Sequence, residues 1–528
     1  MNPRVISQAL STNPLAAAAV AGTARPDWYE LIPHDAAAWS ERIDAVRSES
    51  SRDWLARLAP AFDATGNAKT RLEASAEGRG VVITTGQQPG LFGGPIYTLT
   101  KALSALALAD ALQRSSGVPV APVFWAATDD TDFKEASSTI VSVPGEAQLL
   151  RIDHVGPLGP PMSVMPLGDV SVQLEALRKA SASTIDSWPL DLLEEHYREG
   201  QTVGSAFVGF LRALFESLGI AVIDASHPAT RGAAKSILTS ALASASEISQ
   251  RVAERNRELE EAGFAPQVQD VPGLSLVFST TSGARRRVPI KAAAKQTVTE
   301  DMGPNVLLRP VVERAILPTA IYIGGPAEIA YFAQVSPIAD TLGVPRPAIV
   351  PRWSCTIIEP QVEKILEKLY LLPEDLRDPH DAEIRIARDR LPKQVLEELN
   401  ATRGLVDERL DALAEAVTAG QAPVSPAVTG GLRANLMRRL DRYERRLIAA
   451  SKRRHSDLMH DIGTARGSLY PMGKQQERGL NFVPLLARYG EQLRDDMLDG
   501  ARAHAAHLVG TNATPETSEK TVAVRGQA

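Results

Sequence analysis

The stretch VVITTGQQPGLFGGPIYTLTKALSALALADAL, Val81 to Leu112, decides the fold. Val81, Val82 and Ile83 are a β-branched run suited to a buried strand. Thr84-Thr85-Gly86-Gln87-Gln88-Pro89-Gly90 breaks it, and Gly93-Gly94-Pro95 follows Leu91-Phe92. From Ile96 on, Tyr97, Leu99, Leu103, Leu106, Leu108 and Leu112 recur at helical spacing, and Pro95 suits a first helical turn. The pattern predicts strand, glycine-rich turn, helix. Such a turn gathers backbone N–H groups and the positive end of a helix dipole where an anion can bind. Its spacing matches neither standard phosphate loop. Gln87 and Gln88 place two amides at the strand's C-terminal end, which favours a ligand over a turn whose glycines only relieve crowding.

Working outward, Val118 to Trp125 is a second apolar strand, ending in Asp129-Asp130-Thr131-Asp132-Phe133. Strand, helix and strand in this order predict a parallel crossover, with the glycine turn and the acidic cluster at one sheet edge. Gly219 to Asp224 reads as another core strand. Ala320 to Ile323 leads into Gly324-Gly325-Pro326 and a helix from Ala327, a second strand–GGP–helix unit. Glu328 sits in that helix's first turn, where the dipole favours a carboxylate. Ala348 to Arg352 is the last core strand, with Arg352 at its end as an anion-gripping side chain. The basic residues Arg285, Arg286, Arg287, Lys291 and Lys295 read as a solvated strand edge, and Lys101 as a helix-surface lysine.

Past Glu359 the texture turns helical and charged. Val406, Leu410, Leu413 and Val417 step by four, three, four, as do Leu436, Leu440, Tyr443 and Leu447. The breaker Gln421 to Pro426 between them predicts an antiparallel coiled-coil pair. The fold class expected is α/β: a Rossmann-like parallel-sheet core with connecting insertions, then an α-helical antiparallel coiled coil. The divisions are 1–141, 203–229 and 316–358 for the core, 142–202 and 230–315 for the insertions, and 359–468 for the coiled coil. Residues 469–510 return to the core and 511–528 form a disordered tail.

Bulk properties narrow the function. The 528 residues are 44% hydrophobic and 23% charged with net charge −6, which gives no basic field for nucleic acid. No apolar run reaches the roughly 20 residues of a membrane span. Cys355 is the one cysteine, which fits a reducing cytoplasm and excludes an internal disulfide. It sits beside a core strand and reads as a buried thiol rather than a nucleophile. Nine histidines lie without metal-ligand spacing, so no metal site is predicted.

Five stretches, TGQQPGLFGGPIYTLTKAL (85–103), PVFWAATDDTDF (122–133), GPNVLLRPVVERAILPTAIYIGGPAEIAYFAQ (303–334), PRWS (351–354) and LYPMGKQQERGLNF (469–482), together resemble the BshC family, cysteine ligases of bacillithiol biosynthesis. The resemblance implies a Rossmann-type core, a coiled coil that mediates homodimerisation, and amide formation between cysteine and glucosaminyl malate. It also implies ATP or another adenine nucleotide in a cleft between core and coiled coil. Thr131 stands where relatives usually carry a histidine, and Ser138 where a second falls. That departure leaves two alternatives open: a catalytically degenerate metabolite- or nucleotide-binding scaffold, and a nucleotidyltransferase-like enzyme acting on another small acid. The expected catalytic residues are Asp129, Asp130 and Asp132, on the amine or cation side. Gln87, Gln88, Gly93, Gly94, Tyr97, Gly324, Gly325, Glu328 and Arg352 are expected to bind substrate, and Lys474, Asn481 and Phe482 a nucleotide.

Overall fold

A computed structural model describes residues 2–10, 13–156, 159–182, 184–280, 285–378, 380–421 and 423–510. The expected tail, 511–528, lies outside them. The described residues form two compact units: those within 1–141, 149–357 and 477–510 in the first, those within 142–148 and 358–476 in the second.

The first unit is built on a five-stranded parallel sheet. Its strands are β1 (Val81–Gln87), β2 (Val120–Ala126), β3 (Ala221–Asp224), β4 (Thr319–Gly324) and β5 (Ile349–Pro351). Their spatial order is β5-β4-β1-β2-β3, all pairs parallel. The chain steps outward from β1 through β2 to β3, then returns to the other side of β1 with β4. The order therefore reverses at the β1–β4 boundary, where α/β sheets open a crevice beyond their strands' carboxyl ends.

β1 runs four residues further than its β-branched start suggests. Thr84 and Thr85 are drawn into the sheet because strands flank them on both sides. The Thr85 hydroxyl donates to the Ile323 carbonyl at 2.9 Å, and the Thr84 hydroxyl bonds the Glu313 carboxylate. Gly86 pairs with Trp125, and a Cβ there would stand 2.7 Å from the Trp125 carbonyl oxygen, so the strands approach only because the residue is glycine.

Helix α1 (Ile96–Ser116) follows β1 and packs on β1 and β2. Pro95 is its N-cap rather than its first helical residue. Helix α2 (Val203–Glu216) leads into β3, helix α3 (Arg309–Ile316) precedes β4, and helix α4 (Pro326–Leu342) follows it. Within the insertion of 230–315 and just before it run two helices, Pro228–Ala243 and Ala245–Glu261, meeting at Ser244. Leu274–Ser279, Arg286–Pro289 and Met302–Pro304 form a separate antiparallel sheet.

In the second unit, helices α5 (Lys393–Ala419) and α6 (Pro426–Arg454) lie antiparallel. Arg403 pairs with Asp441 and Glu444, whereas Arg433, thirty residues on, pairs back to Asp407 and Asp411. The apolar seam is only partly covered: Leu410 is buried, but Leu413, Leu432 and Tyr443 are exposed. Helix α7 (Val483–Val509) belongs to the first unit and packs along α1.

Candidate functional site

A cavity of about 730 Å³ opens where the strand order reverses. Gly86, Gln87 and Gln88 from the end of β1, Asp129 and Asp130 after β2, and Gly325 and Glu328 after β4 all line it. Parallel pairing puts these three strand ends at one edge, and the sequence places polar residues just beyond each.

Lys101, on α1, also lines the cavity. It is 4% exposed, not a surface lysine, because the first turns of α1 lie beneath the ends of β1 and β4. Its Nζ donates to the Gly86 carbonyl at 2.8 Å and to Gln87 Oε1 at 3.0 Å, and pairs with Glu328 Oε2 at 2.6 Å. Glu328 also accepts from the Tyr322 hydroxyl and the Gly325 N–H, each at 2.7 Å. Burial alone would raise the Glu328 carboxyl; Lys101 and these two donors outweigh it and hold it below its usual range. Burial pulls Lys101 downward against the attraction of Glu328.

From Lys101 a hydrogen-bonded chain continues outward. Gln87 Nε2 donates to the Tyr97 hydroxyl at 3.3 Å, which donates to Glu135 Oε1 at 3.3 Å. Gln88 Nε2 donates to the other Glu135 oxygen at 2.5 Å. Glu135 was missed in the sequence. Its position depends on a short helix, Phe133–Ala136, capped by Asp132, whose carboxylate accepts from the Glu135 N–H at 3.1 Å. The carboxyl of Glu135 is pushed above its usual range, first by burial and then by the charges of Asp132 and Asp130. Asp130 is raised too, mainly by burial, with the Asp132 N–H partly offsetting it.

The aspartates separate in role. Asp129 is paired with Arg285 at 2.9 Å, and Asp130 lines the cavity. Asp132 is an exposed helix cap that does not line it, so the expectation of three converging carboxylates is corrected to two. Among the described residues no group of three or more His, Cys, Asp or Glu is placed to hold a metal ion. The basic strand that reads as a solvated edge is corrected at two positions: Arg285 and Arg287 line the cavity, whereas Arg286, Lys291 and Lys295 are exposed as expected. Alternation in the sequence shows which residues share a face of that strand, but not what the face covers.

Several expected ligand-binding residues are engaged by the protein itself. Gly93 and Gly94 do not line the cavity; the Gly93 N–H donates to the Tyr197 hydroxyl at 3.1 Å, and the Gly94 N–H to Leu91. At Gly93, φ is +83° and a Cβ would stand 2.6 Å from Phe210 and 2.8 Å from Phe482, so its glycine serves packing. Gly324 ends β4 and its carbonyl accepts from the Arg352 N–H at 2.9 Å, while the Gly325 N–H is held by Glu328. Arg352 lines the cavity, yet its fork is taken by Glu477, at 2.8 and 2.6 Å, with both side chains 2% exposed.

Asn481 and Phe482 are buried. Asn481 Nδ2 donates to the Phe92 carbonyl at 3.0 Å and to the Thr139 hydroxyl at 3.1 Å, latching the glycine turn, and Phe482 stacks on Phe210. Lys474 is exposed and belongs to the second unit. Asn481 thus has its side-chain donors filled and Phe482 is enclosed, whereas Lys474 stays exposed. Cys355 is fully buried and burial pushes its thiol up, so no thiolate forms there at neutral pH.

Comparison with known proteins agrees with this architecture. Residues 11–353 match the model of the bacillithiol biosynthesis BshC N-terminal Rossmann-like domain, and residues 355–509 that of the BshC C-terminal coiled-coil domain. A protein of Koribacter versatilis named "Putative cysteine ligase BshC" is 33% identical over 449 residues, covering 81% of this chain and 83% of the relative. Proteins of the same name from Solibacter usitatus and Chlorobium phaeobacteroides are 31% and 28% identical, covering 88% of this chain each and 91% and 89% of themselves. With two family models matching nearly end to end over a switch-point cavity, the chain belongs to the BshC family of bacillithiol biosynthesis.

Proposed function

We propose that this chain is a carbon–nitrogen ligase that joins cysteine to glucosaminyl malate by an amide bond, the last step of bacillithiol biosynthesis. The observation that carries this reading is the charge pattern of the cavity wall. Lys101, Arg285, Arg309 and Arg352 each have a carboxylate partner, Glu328, Asp129, Glu313 and Glu477. Asp130 and Glu135, and Arg287 and Arg478, line the same cavity and form no ion pair among the described residues. Two open carboxylates and two open guanidiniums suit substrates that bring an ammonium and carboxylates together.

In this reading Asp130 attracts the ammonium and Glu135 takes its proton. The freed lone pair attacks the acyl carbon of cysteine, supplied as an activated anhydride of the acyl phosphate or acyl adenylate class. The C–N bond forms, the C–O bond to the leaving group breaks, and its electron pair departs with that oxygen. The Glu135 proton passes to water. Lys101 and Glu328 fix Gln87, and through it Tyr97, which with Gln88 donates to Glu135, so two donors orient a base that stays open to solvent. An adenine nucleotide is the proposed source of activation, because a free carboxylate is a poor electrophile. No step runs through Asn481, Phe482 or the glycine turns, whose donors are filled.

The test is mass spectrometry after incubation with cysteine, glucosaminyl malate and ATP. The mass of bacillithiol supports the ligase; a different adenylate supports a nucleotidyltransferase. One observation favours a scaffold without turnover: no histidine lines the cavity among the described residues, and Thr131 stands at its edge instead. Substrate binding with no product would decide for that reading.

The chain is further proposed to pair through the coiled coil, supported by the exposed apolar residues Leu413, Leu432 and Tyr443, which are 44%, 45% and 54% accessible. Leu413→Glu with Tyr443→Glu is expected to convert a dimer to a monomer, read by light scattering after size exclusion. An unchanged mass would place the pairing elsewhere.

A further inference from the structure

Helix α6 carries a strongly charged face that neither the cavity nor the proposed pairing uses. Arg438, Arg439, Arg442, Arg445, Arg446 and Arg453 are all exposed, and none forms an ion pair among the described residues. At about 3.6 residues per turn they fall within about one third of the helix circumference. The side chains that reach α5 lie on the opposite side: Arg433 pairs with Asp407 and Asp411, and Glu444 with Arg403. The helix has only two acids, Asp441 and Glu444, and Arg403 holds both. The stripe therefore has no counter-charge on its own helix. The net charge of −6 averages over the whole chain and conceals this local field.

Spacing and composition define what the face fits. Residues 438–453 span about 22 Å at about 1.5 Å per residue, so the six charges fall about 4 Å apart along the axis. One strand of a duplex nucleic acid carries a phosphate about every 3.4 Å of axis. All six side chains are arginines, whose planar forks each take two phosphate oxygens, where a lysine offers a point charge. The one other side chain on the stripe is Ala449. The stripe thus has no aromatic ring on which an unpaired base could stack and no large apolar side chain to enter a lipid surface. A second copy supplies a poorer match. Glu397, Glu408 and Glu415 share the outward side of α5, but they span about 27 Å and leave half of the arginines without a carboxylate.

We propose that the arginine face of α6 binds the phosphate backbone of a duplex nucleic acid without reading its sequence, an activity independent of the ligase reading. Contacts to phosphate position the duplex and carry no base information. Binding releases counterions from the duplex, so the affinity falls steeply as salt rises.

Fluorescence anisotropy of the full chain with labelled duplexes of about 20 base pairs, one DNA and one RNA, tests this over about 20–200 mM salt. At least one duplex is expected to bind, with unrelated sequences held within about twofold of each other, and the tighter one names the nucleic acid. The slope of log affinity against log salt is expected at about −4 to −5, for four to six phosphates at about 0.9 each. Arg442→Glu with Arg446→Glu is expected to weaken binding more than about tenfold at about 50 mM salt and to flatten the slope by about 2. Both side chains are exposed, so the fold is expected to hold; a thermal melt checks it, and Arg442→Gln with Arg446→Gln replaces the pair if it does not. Arg502→Glu, an exposed position on α7, is expected to leave affinity and slope unchanged. No binding of either duplex at about 20 mM salt, or wild-type affinity and slope in both double variants, overturns the proposal. Phosphatidylserine vesicles bound through these arginines while both duplexes stay unbound would assign the face to lipid. A double variant that turns a dimer into a monomer by light scattering would assign it to a second copy, and either result overturns the proposal.

Discussion

Glu135→Gln is expected to lower turnover by about 10²–10⁴-fold, the usual loss for a general base, while leaving substrate affinity and melting temperature near wild type. The amide keeps the shape and can still face Gln88 and Tyr97, which now hold a group that takes no proton. The pH profile separates this from a structural role. Because burial and the neighbouring aspartates raise the Glu135 carboxyl, its base form is present above that raised value and is lost as pH falls through it. The acid limb of turnover should therefore lie above the 4.5 of an ordinary glutamate, and Glu135→Gln should remove it. Glu135→Asp should recover part of the rate. A Glu135→Gln variant with wild-type turnover would assign the proton to another group, with Asp130 next in place.

Removing one member of the Arg352–Glu477 pair is expected to cost about 3–5 kcal/mol of stability, read by urea unfolding through tryptophan fluorescence. Both side chains are 2% exposed, and Glu477 also accepts from the Ser354 hydroxyl at 2.8 Å. Arg352→Leu strands a carboxylate in the core, and Glu477→Leu strands a guanidinium. The double variant should recover most of the loss, because a buried pair replaced by apolar side chains leaves no charge without solvent. This result opposes the reading of Arg352 as an anion grip. If the arginine were held for a ligand, Glu477→Gln would free it and tighten anion binding with little loss of stability.

Much of the fold was legible in single stretches of sequence. The β-branched run at Val81–Ile83, the glycine turn and the leucine spacing of Ile96–Leu112 specify strand, turn and helix locally, since each is a matter of backbone preference and periodicity. Five short motifs carried the family. The coiled-coil steps at Val406–Val417 and Leu436–Leu447 gave an antiparallel pair, which the Arg403 and Arg433 contacts display. The sheet edge was also foreseen: Gln87, Gln88, Asp129, Asp130, Gly325 and Glu328 do line one cavity.

What sequence could not assign was which polar group meets which. Lys101 looks like any helical lysine until strand order sets it under β1 and β4, and Glu328 then becomes its counter-ion. Glu135 has no signature of its own; a cap from Asp132 and two donors lying 47 and 38 positions earlier make it a held base. Arg287 reads as a solvated edge until its strand is set against the cavity, and Arg352 reads as free until Glu477, 125 residues later, closes on it. Local propensity acts over a few residues and so is written in the sequence. The pairing of charges is settled by desolvation, which depends on what the rest of the chain brings alongside, and only the tertiary structure decides that.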